Sequence, residues 1–237
     1  MCLTVCRHHA PLMNMTKSRL TSQELRLVRS LKTPRQVQNF LNALPYNNES
    51  PRRATLHSFR SVLAHWNAHC MEAALTAAVI LECHRYPPLV MSLESVDQLD
   101  HVLFVYRWRQ YWGSVARSRD PGLHGRKPVF SSARNLALSY VDPYVDMTGR
   151  ITGYAVVDLR VLGRYDWRLS KRNVWKAERL LQDTPHHEIR SSDQRINRLR
   201  RRFENFKKRY PDQKPMYYKN QEKWSELPKE FKFKASA

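Results

Sequence analysis

The apolar positions of this chain change period about a third of the way along, near residue 82. Before that point they recur at helical spacing. Thr21-Ser-Gln-Glu24 is a capping box ahead of LRLVRSL, because a threonine oxygen can accept from the amide three residues on while the glutamate reaches back. Thr33-Pro34-Arg35-Gln36 repeats the device ahead of VQNFLNAL, with proline at the first helical position, where its missing N–H does no harm. Leu44-Pro45 ends that helix, NNESPRR reads as a polar linker, and ATLHSFRSVLAHW predicts a third helix. AHCMEAALTAA opens a fourth, apolar on most sides and stopping before Pro87-Pro88. Beyond it the runs are β-branched and aromatic: PLVMSLE, HVLFVYRW, YWGSVARS and KPVFSS, with short polar joints. A short helix (SARNLALS), a further strand (TGYAVVDLRVL) and two basic helical patterns (RNVWKAERLL, INRLRRRFENFKKRY) follow. The pattern predicts an α+β fold, helices packed on a small antiparallel sheet. The expected organisation is a flexible leader over 1–19, a folded domain over 20–165 and a basic helical C-terminal extension over 166–237.

Composition adds three constraints. With 237 residues, 42% of them hydrophobic and 11% aromatic, the chain has enough apolar surface for one good-sized core, which excludes wholesale disorder. No apolar run approaches the roughly 18–20 residues of a membrane span, and MCLTVCRHHAPLMNMTKSR lacks the apolar centre of a signal peptide. The expectation is a soluble, cytoplasmic protein with reduced thiols, since four irregularly spaced cysteines make no disulfide framework. The formal charge of +20 is uneven: residues 190–237 hold 15 Lys/Arg against 6 Asp/Glu, so this end is where nucleic acid or another polyanion would be attracted. There Phe203, Phe206, Tyr210, Tyr217 and Tyr218 interleave with cations and are suited to stacking on bases. Ile196, Leu199, Phe203 and Phe206 also follow helical spacing, and docking of that stripe on the core, with the basic face left free, is the favoured reading.

Candidate chemistry centres on Cys70. With Asn67 as N-cap, Cys70 falls near the third helical position, where unpaired amides and the helix dipole favour a thiolate. Cys83, late in the same helix, reads as a small core residue. Asp100-His101 stands about 30 residues further on at the head of a strand. Cysteine at a helix start and histidine opening an antiparallel strand is the layout of cysteine-dependent acyl transfer, with histidine as the proton acceptor. A hairpin turning at Arg109-Gln110 sets Trp108 opposite Tyr111 and His101 opposite Ser118. Residues 116–120 therefore hold the expected orienter, Asp120 before Ser118, with Asp142 and Asp158 as distant alternatives. The loop SRDPGLHGRKPV offers Arg119, His124, Arg126 and Lys127 to an acidic substrate group, although a solvated turn explains it as well. His65 and His69, four apart beside Cys70, lack the glutamate and third ligand of a zinc protease, and Cys2-x3-Cys6-x-His8-His9 has no later partner pair. No metal and no organic cofactor is expected.

AHC at a helix start, DHVLFVY on a strand and then YWGSVARS resemble the transglutaminase-like superfamily, a papain-related fold, over about residues 20–160. The resemblance implies a core helix packed on an antiparallel sheet and a Cys-His-Asp/Asn triad whose first two places fall on Cys70 and His101. Such families place an Asp or Asn shortly after a tryptophan in the third strand, whereas here Trp112 is followed by GSVARS. Asn67, His69, Trp112, Arg119 and Arg126 are the expected substrate-binding positions. The expected function is a cysteine-dependent hydrolase or acyltransferase acting on an amide or ester of a protein or peptide. The alternative is a catalytically silent basic protein that binds nucleic acid or serves in an assembly.

Overall fold

The computed structural model describes residues 18–49 and 54–231. The Cys2/Cys6/His8/His9 cluster and nearly all of the expected leader lie outside these residues.

Both capping boxes form. Thr21 Oγ1 accepts from the Glu24 amide at 3.2 Å and the Glu24 carboxylate accepts from the Thr21 amide at 2.7 Å, opening α1 (Ser22–Ser30). Thr33 and Gln36 do the same for α2 (Pro34–Asn42), which carries proline in its first turn. α3 (Phe59–His65) begins later than its apolar pattern suggests, because the Ser58 hydroxyl caps it. It ends at Trp66, whose left-handed φ of 57° turns the chain. His65 and His69 therefore do not share a helix, and the metal-binding face their spacing suggested does not exist. His65 instead stacks on His57, with ring centroids 4.5 Å apart.

After that turn comes α4 (Cys70–Glu82), in which all twelve residues from Met71 onward are buried. Each fully buried Val, Leu or Ile contributes roughly 1.5–3 kcal/mol, so the body of this helix anchors its polar first turn. The sheet it packs on comprises β1 (Leu89–Ser95), β2 (His101–Trp108), β3 (Tyr111–Val115), β4 (Arg126–Phe130), β5 (Ile151–Asp158) and β6 (His187–Glu188). Their order is β4-β3-β2-β1-β5-β6, every neighbouring pair antiparallel. The fold is α+β as the pattern predicts. Trp108 lies opposite Tyr111, as the hairpin register requires.

Alternation along β2 separates the two faces. Val102, Phe104 and Tyr106 pack with α4, while Leu103 and Val105 pack with Leu136 and Tyr140 of α5 (Ala133–Tyr144). Trp167, Leu169, Val174 and, from α6 (Trp175–Gln182), Ala177 and Leu181 join the cluster around α4, so the packing runs on across residue 165. α7 (Asp193–Arg209) buries only Ile196 and leaves Leu199, Phe203 and Phe206 half-buried. The chain then returns across the loop between β3 and β4, where the Ser225 amide donates to the Gly125 carbonyl at 3.0 Å.

Candidate active site

α4 starts at Cys70 because His69, not Asn67, is its N-cap. Histidine Nδ1 lies as many bonds from Cα as asparagine Oδ1, and it accepts from the Met71 amide at 3.2 Å. Glu72 completes a capping box by accepting from the His69 amide at 2.9 Å. The spacing His69-x-x-Glu72 was the signal in the sequence that marks this start. Cys70 therefore occupies the first helical position rather than the third, still within the turn whose amides have no intrahelical partner. Asn67 Oδ1 is buried and has no hydrogen-bond partner among the described residues.

The Glu72 carboxylate is completely buried and collects further donors from the connection between α2 and α3: the His57 amide at 2.8 Å, Asn47 Nδ2 at 3.0 Å and Thr55 Oγ1 at 3.2 Å. Four donors on one carboxylate replace the water it gave up. Their consequence is a rigid collar around the helix start. The second ring nitrogen of His69 faces the Thr55 carbonyl at 3.2 Å.

The Cys70 thiol, half-buried, lies 4.0 Å from the Asp100 carbonyl and beside two imidazoles, those of His101 and His69. Burial alone would raise its pKa, but the two histidines outweigh that and hold the thiol well below the ordinary cysteine range. His101 is buried, and its Nε2 lies 2.8 Å from the Leu123 carbonyl. A carbonyl can only accept, so Nε2 carries the proton and Nδ1 is left as an acceptor.

Tyr46, which the sequence reading passed over, sits against the same helix start. Its backbone bridges to Ala68, and its hydroxyl oxygen is met by the Cys70 amide. Burial first, and then the negative charge of Cys70, push its pKa up, so the hydroxyl keeps its proton. No periodic pattern distinguishes a lone tyrosine after Leu44-Pro45.

The residues expected to orient His101 are elsewhere engaged. Asp120 pairs with Lys214 Nζ at 2.7 Å, and the Ser118 hydroxyl accepts from the Asp120 amide at 3.1 Å. The β2–β3 ladder ends at Phe104–Val115, so the chain has left the sheet before it reaches the level of His101 and Ser118 does not come opposite it. The short 3₁₀ turn Pro121–Leu123 arrives there instead and presents a backbone carbonyl. Asp142 and Asp158 are taken up by Arg195 and Arg160.

The expected substrate-binding residues are scattered. Trp112 pairs with Arg107 near the far end of β2, six residues along the strand from His101 and about 20 Å away at the ordinary strand rise. Arg126 is fully buried, its guanidinium 4.1 Å from the Tyr140 ring and 5.0 Å from the Trp224 ring. Arg119 is exposed and lies 5.8 Å from the Tyr46 ring, near the thiol, and His69 adjoins it directly.

The architecture defines an α+β protein with a cysteine at a helix start and a histidine at a strand start brought together at one end of the sheet. No protein-family model and no curated protein matches the chain. Among solved structures, one described as Legionella pneumophila LapG (EGTA-treated) is similar over 65% of this chain and 92% of that chain, at 13% identity and a TM-score of 0.35. A likeness at that level carries no argument about chemistry, which rests on the geometry above. None of the described helices is long and apolar enough to cross a membrane.

Proposed function

We propose that the protein is a cysteine-dependent hydrolase or acyltransferase acting on an amide or ester carbonyl of a protein or peptide. The carrying observation is the convergence of the Cys70 thiol, at the first position of α4, with a His101 ring whose far nitrogen is occupied by the Leu123 carbonyl. In this reading His101 Nδ1 takes the thiol proton, the sulfur bonds to the carbonyl carbon, and the electron pair of the C=O bond moves to oxygen. The Tyr46 hydroxyl, which keeps its proton while its oxygen accepts from the Cys70 amide, is the donor this reading offers to that oxygen. Collapse of the adduct expels the amine or alcohol, which takes the proton back from His101 and leaves a thioester on Cys70. Water or an amine then attacks the thioester as His101 removes its proton, and the thiol is restored. The Leu123 carbonyl, a neutral acceptor, stands where an aspartate was expected and steadies the imidazolium less than a charge would.

The test is acylation of Cys70 by a p-nitrophenyl ester, followed as nitrophenol release and as added mass on the intact chain. One acyl group on Cys70, lost in Cys70→Ala and in His101→Ala, supports the reading. Modification spread over Cys70 and Cys83 in proportion to exposure refutes it.

A second reading concerns the basic extension. Arg198, Arg201, Arg202, Lys208 and Arg209 are exposed at spacings of three, four and seven along α7, which puts them on one face. Among the described residues none of the five is ion-paired to a carboxylate. Uncompensated cations on a helix that buries little favour a polyanion partner, with RNA or DNA as the candidate. Binding to random RNA that weakens steeply with salt, and is indifferent to Cys70→Ala, supports it.

A further inference from the structure

The carbonyl that engages His101 belongs to a loop outside any ladder, between the end of β3 at Val115 and the start of β4 at Arg126. Two buried arginines hold that loop. Arg126 donates to the His124 carbonyl at 2.7 Å and to the Gly122 carbonyl at 2.6 Å, gripping the groups on either side of Leu123 and leaving the Leu123 carbonyl to His101. Arg117, 1% exposed, donates to the Ser118 carbonyl at 3.0 Å and the Leu44 carbonyl at 3.1 Å. Between them His124 lies 3.0 Å from the same Ser118 carbonyl, and burial, followed by the charge of Arg117, pushes its pKa down to about 3, so it stays neutral. Gly125 is needed here because a Cβ would collide with the Gln38 side chain and the Ser114 carbonyl.

Neither arginine is held by its own neighbourhood alone. Trp224 closes over the Arg126 guanidinium at 5.0 Å, opposite Tyr140. Glu230 supplies a carboxylate to Arg117 at 2.9 Å, across 113 positions of sequence. Phe231 sets its ring edge-on to His124 at 5.5 Å, and Asn42 Nδ2 donates to the Glu226 carbonyl at 2.6 Å. These contacts draw residues 224–231 over the back of the loop whose front meets the active site.

We infer that this C-terminal arm is a positioning element of the active site: Trp224 on Arg126 and Glu230 on Arg117 set the Leu123 carbonyl against His101. The inference rests on the cysteine–histidine reading above. When Cys70 gives its proton to His101, the bond from Nε2 to the Leu123 carbonyl becomes charge-assisted and strengthens. A loop released by the arm offers that carbonyl less steadily, the imidazolium is less favoured, and the thiolate is favoured less with it.

The experiment uses the full-length protein and the variants Glu230→Ala and Trp224→Ala. Iodoacetamide capture of Cys70 is followed by peptide mass spectrometry at pH 6 and pH 9, with glutathione as the reference thiol. The expected result is a lower rate at pH 6 in each variant, by up to about tenfold for each unit by which the thiol pKa rises, with the pH 9 rate within about twofold of wild type. Glu230→Gln, which keeps an oxygen acceptor but not the charge, recovers part of the loss. Variants that melt earlier yet keep the wild-type ratio of pH 6 to pH 9 rates reduce the arm to a structural support and overturn the inference. If wild-type Cys70 is no more reactive than glutathione at pH 6, the cysteine–histidine reading itself fails and the arm's role falls with it. Should Trp224→Ala not fold, Glu230→Ala decides alone, because that side chain is 53% exposed.

Discussion

The two cysteines of α4 stand at opposite ends of one helix. Cys70 is its first residue, beside two imidazoles and in the turn whose amides have no intrahelical partner; Cys83 is its C-cap, 5% exposed among apolar side chains. The helix dipole favours negative charge at the first end and disfavours it at the second. Each end also carries a buried carboxylate, used differently. Glu72 gathers four neutral donors that shape the site, whereas Glu82 makes a two-pronged pair with Arg168, at 2.7 Å on each arm. One side chain type acquires two characters from its position on the helix and from what the fold sets beside it.

Exchanging the ends' chemistry is the most direct way to break the comparison. Cys70→Ala abolishes ester turnover, while Cys83→Ala leaves the rate within about twofold and costs at most ~1 kcal/mol of stability, as a small buried truncation. Nitrophenol release and urea titration measure the two. His101→Ala lowers the acylation rate by roughly 10²–10⁴-fold, the usual worth of a positioned base. The pH dependence sharpens the same contrast. A thiol of ordinary pKa, about 8.5, loses thiolate tenfold per unit as pH falls below that value, whereas a depressed pKa keeps Cys70 ionised further down. The ratio of Cys70 to glutathione alkylation therefore rises from pH 9 to pH 6 in wild type and rises less in His101→Ala, where His69 alone remains beside the thiol. Because the folded state sheds this proton more readily than the unfolded chain, the associated stability is present above the ordinary thiol pKa and fades as pH drops through the folded value.

The carboxylates give smaller effects, read as stability. Glu82→Ala strands the Arg168 guanidinium, 6% exposed, and costs ~3–5 kcal/mol by urea unfolding. Glu72→Gln keeps the volume but removes the charge and one of the two acceptor oxygens that meet the His57 and His69 amides and Asn47 Nδ2, for about 1–3 kcal/mol. It also loosens the helix start, so Cys70 alkylation slows at pH 6 in the Glu72 variant and not in the Glu82 variant.

Much of this arrangement could be read along the chain, and the places where reading failed share a cause. Capping boxes at Thr21 and Thr33, the buried helix after Cys70 and the Trp108–Tyr111 turn are set by contacts a few residues apart, and local spacing reports them directly. His69 was legible through its glutamate three positions on, yet the expectation that an N-cap bears an oxygen led to Asn67. Leu123 could not be found at all, because it contributes a backbone carbonyl and every residue carries one. Asp120 drew attention for its charge, but Lys214, 94 positions later, claims that charge.

By itself, then, the sequence determined the elements, their order, the α+β class and the candidate nucleophile, since each depends on period, caps and turns within a short window. Tertiary structure alone decided what flanks the thiol, which group engages His101 and how residues 224–231 brace the loop that carries it. Those contacts join segments up to 113 residues apart, and at that separation it is the closure of the fold, with its balance of burial against chain entropy, that selects partners.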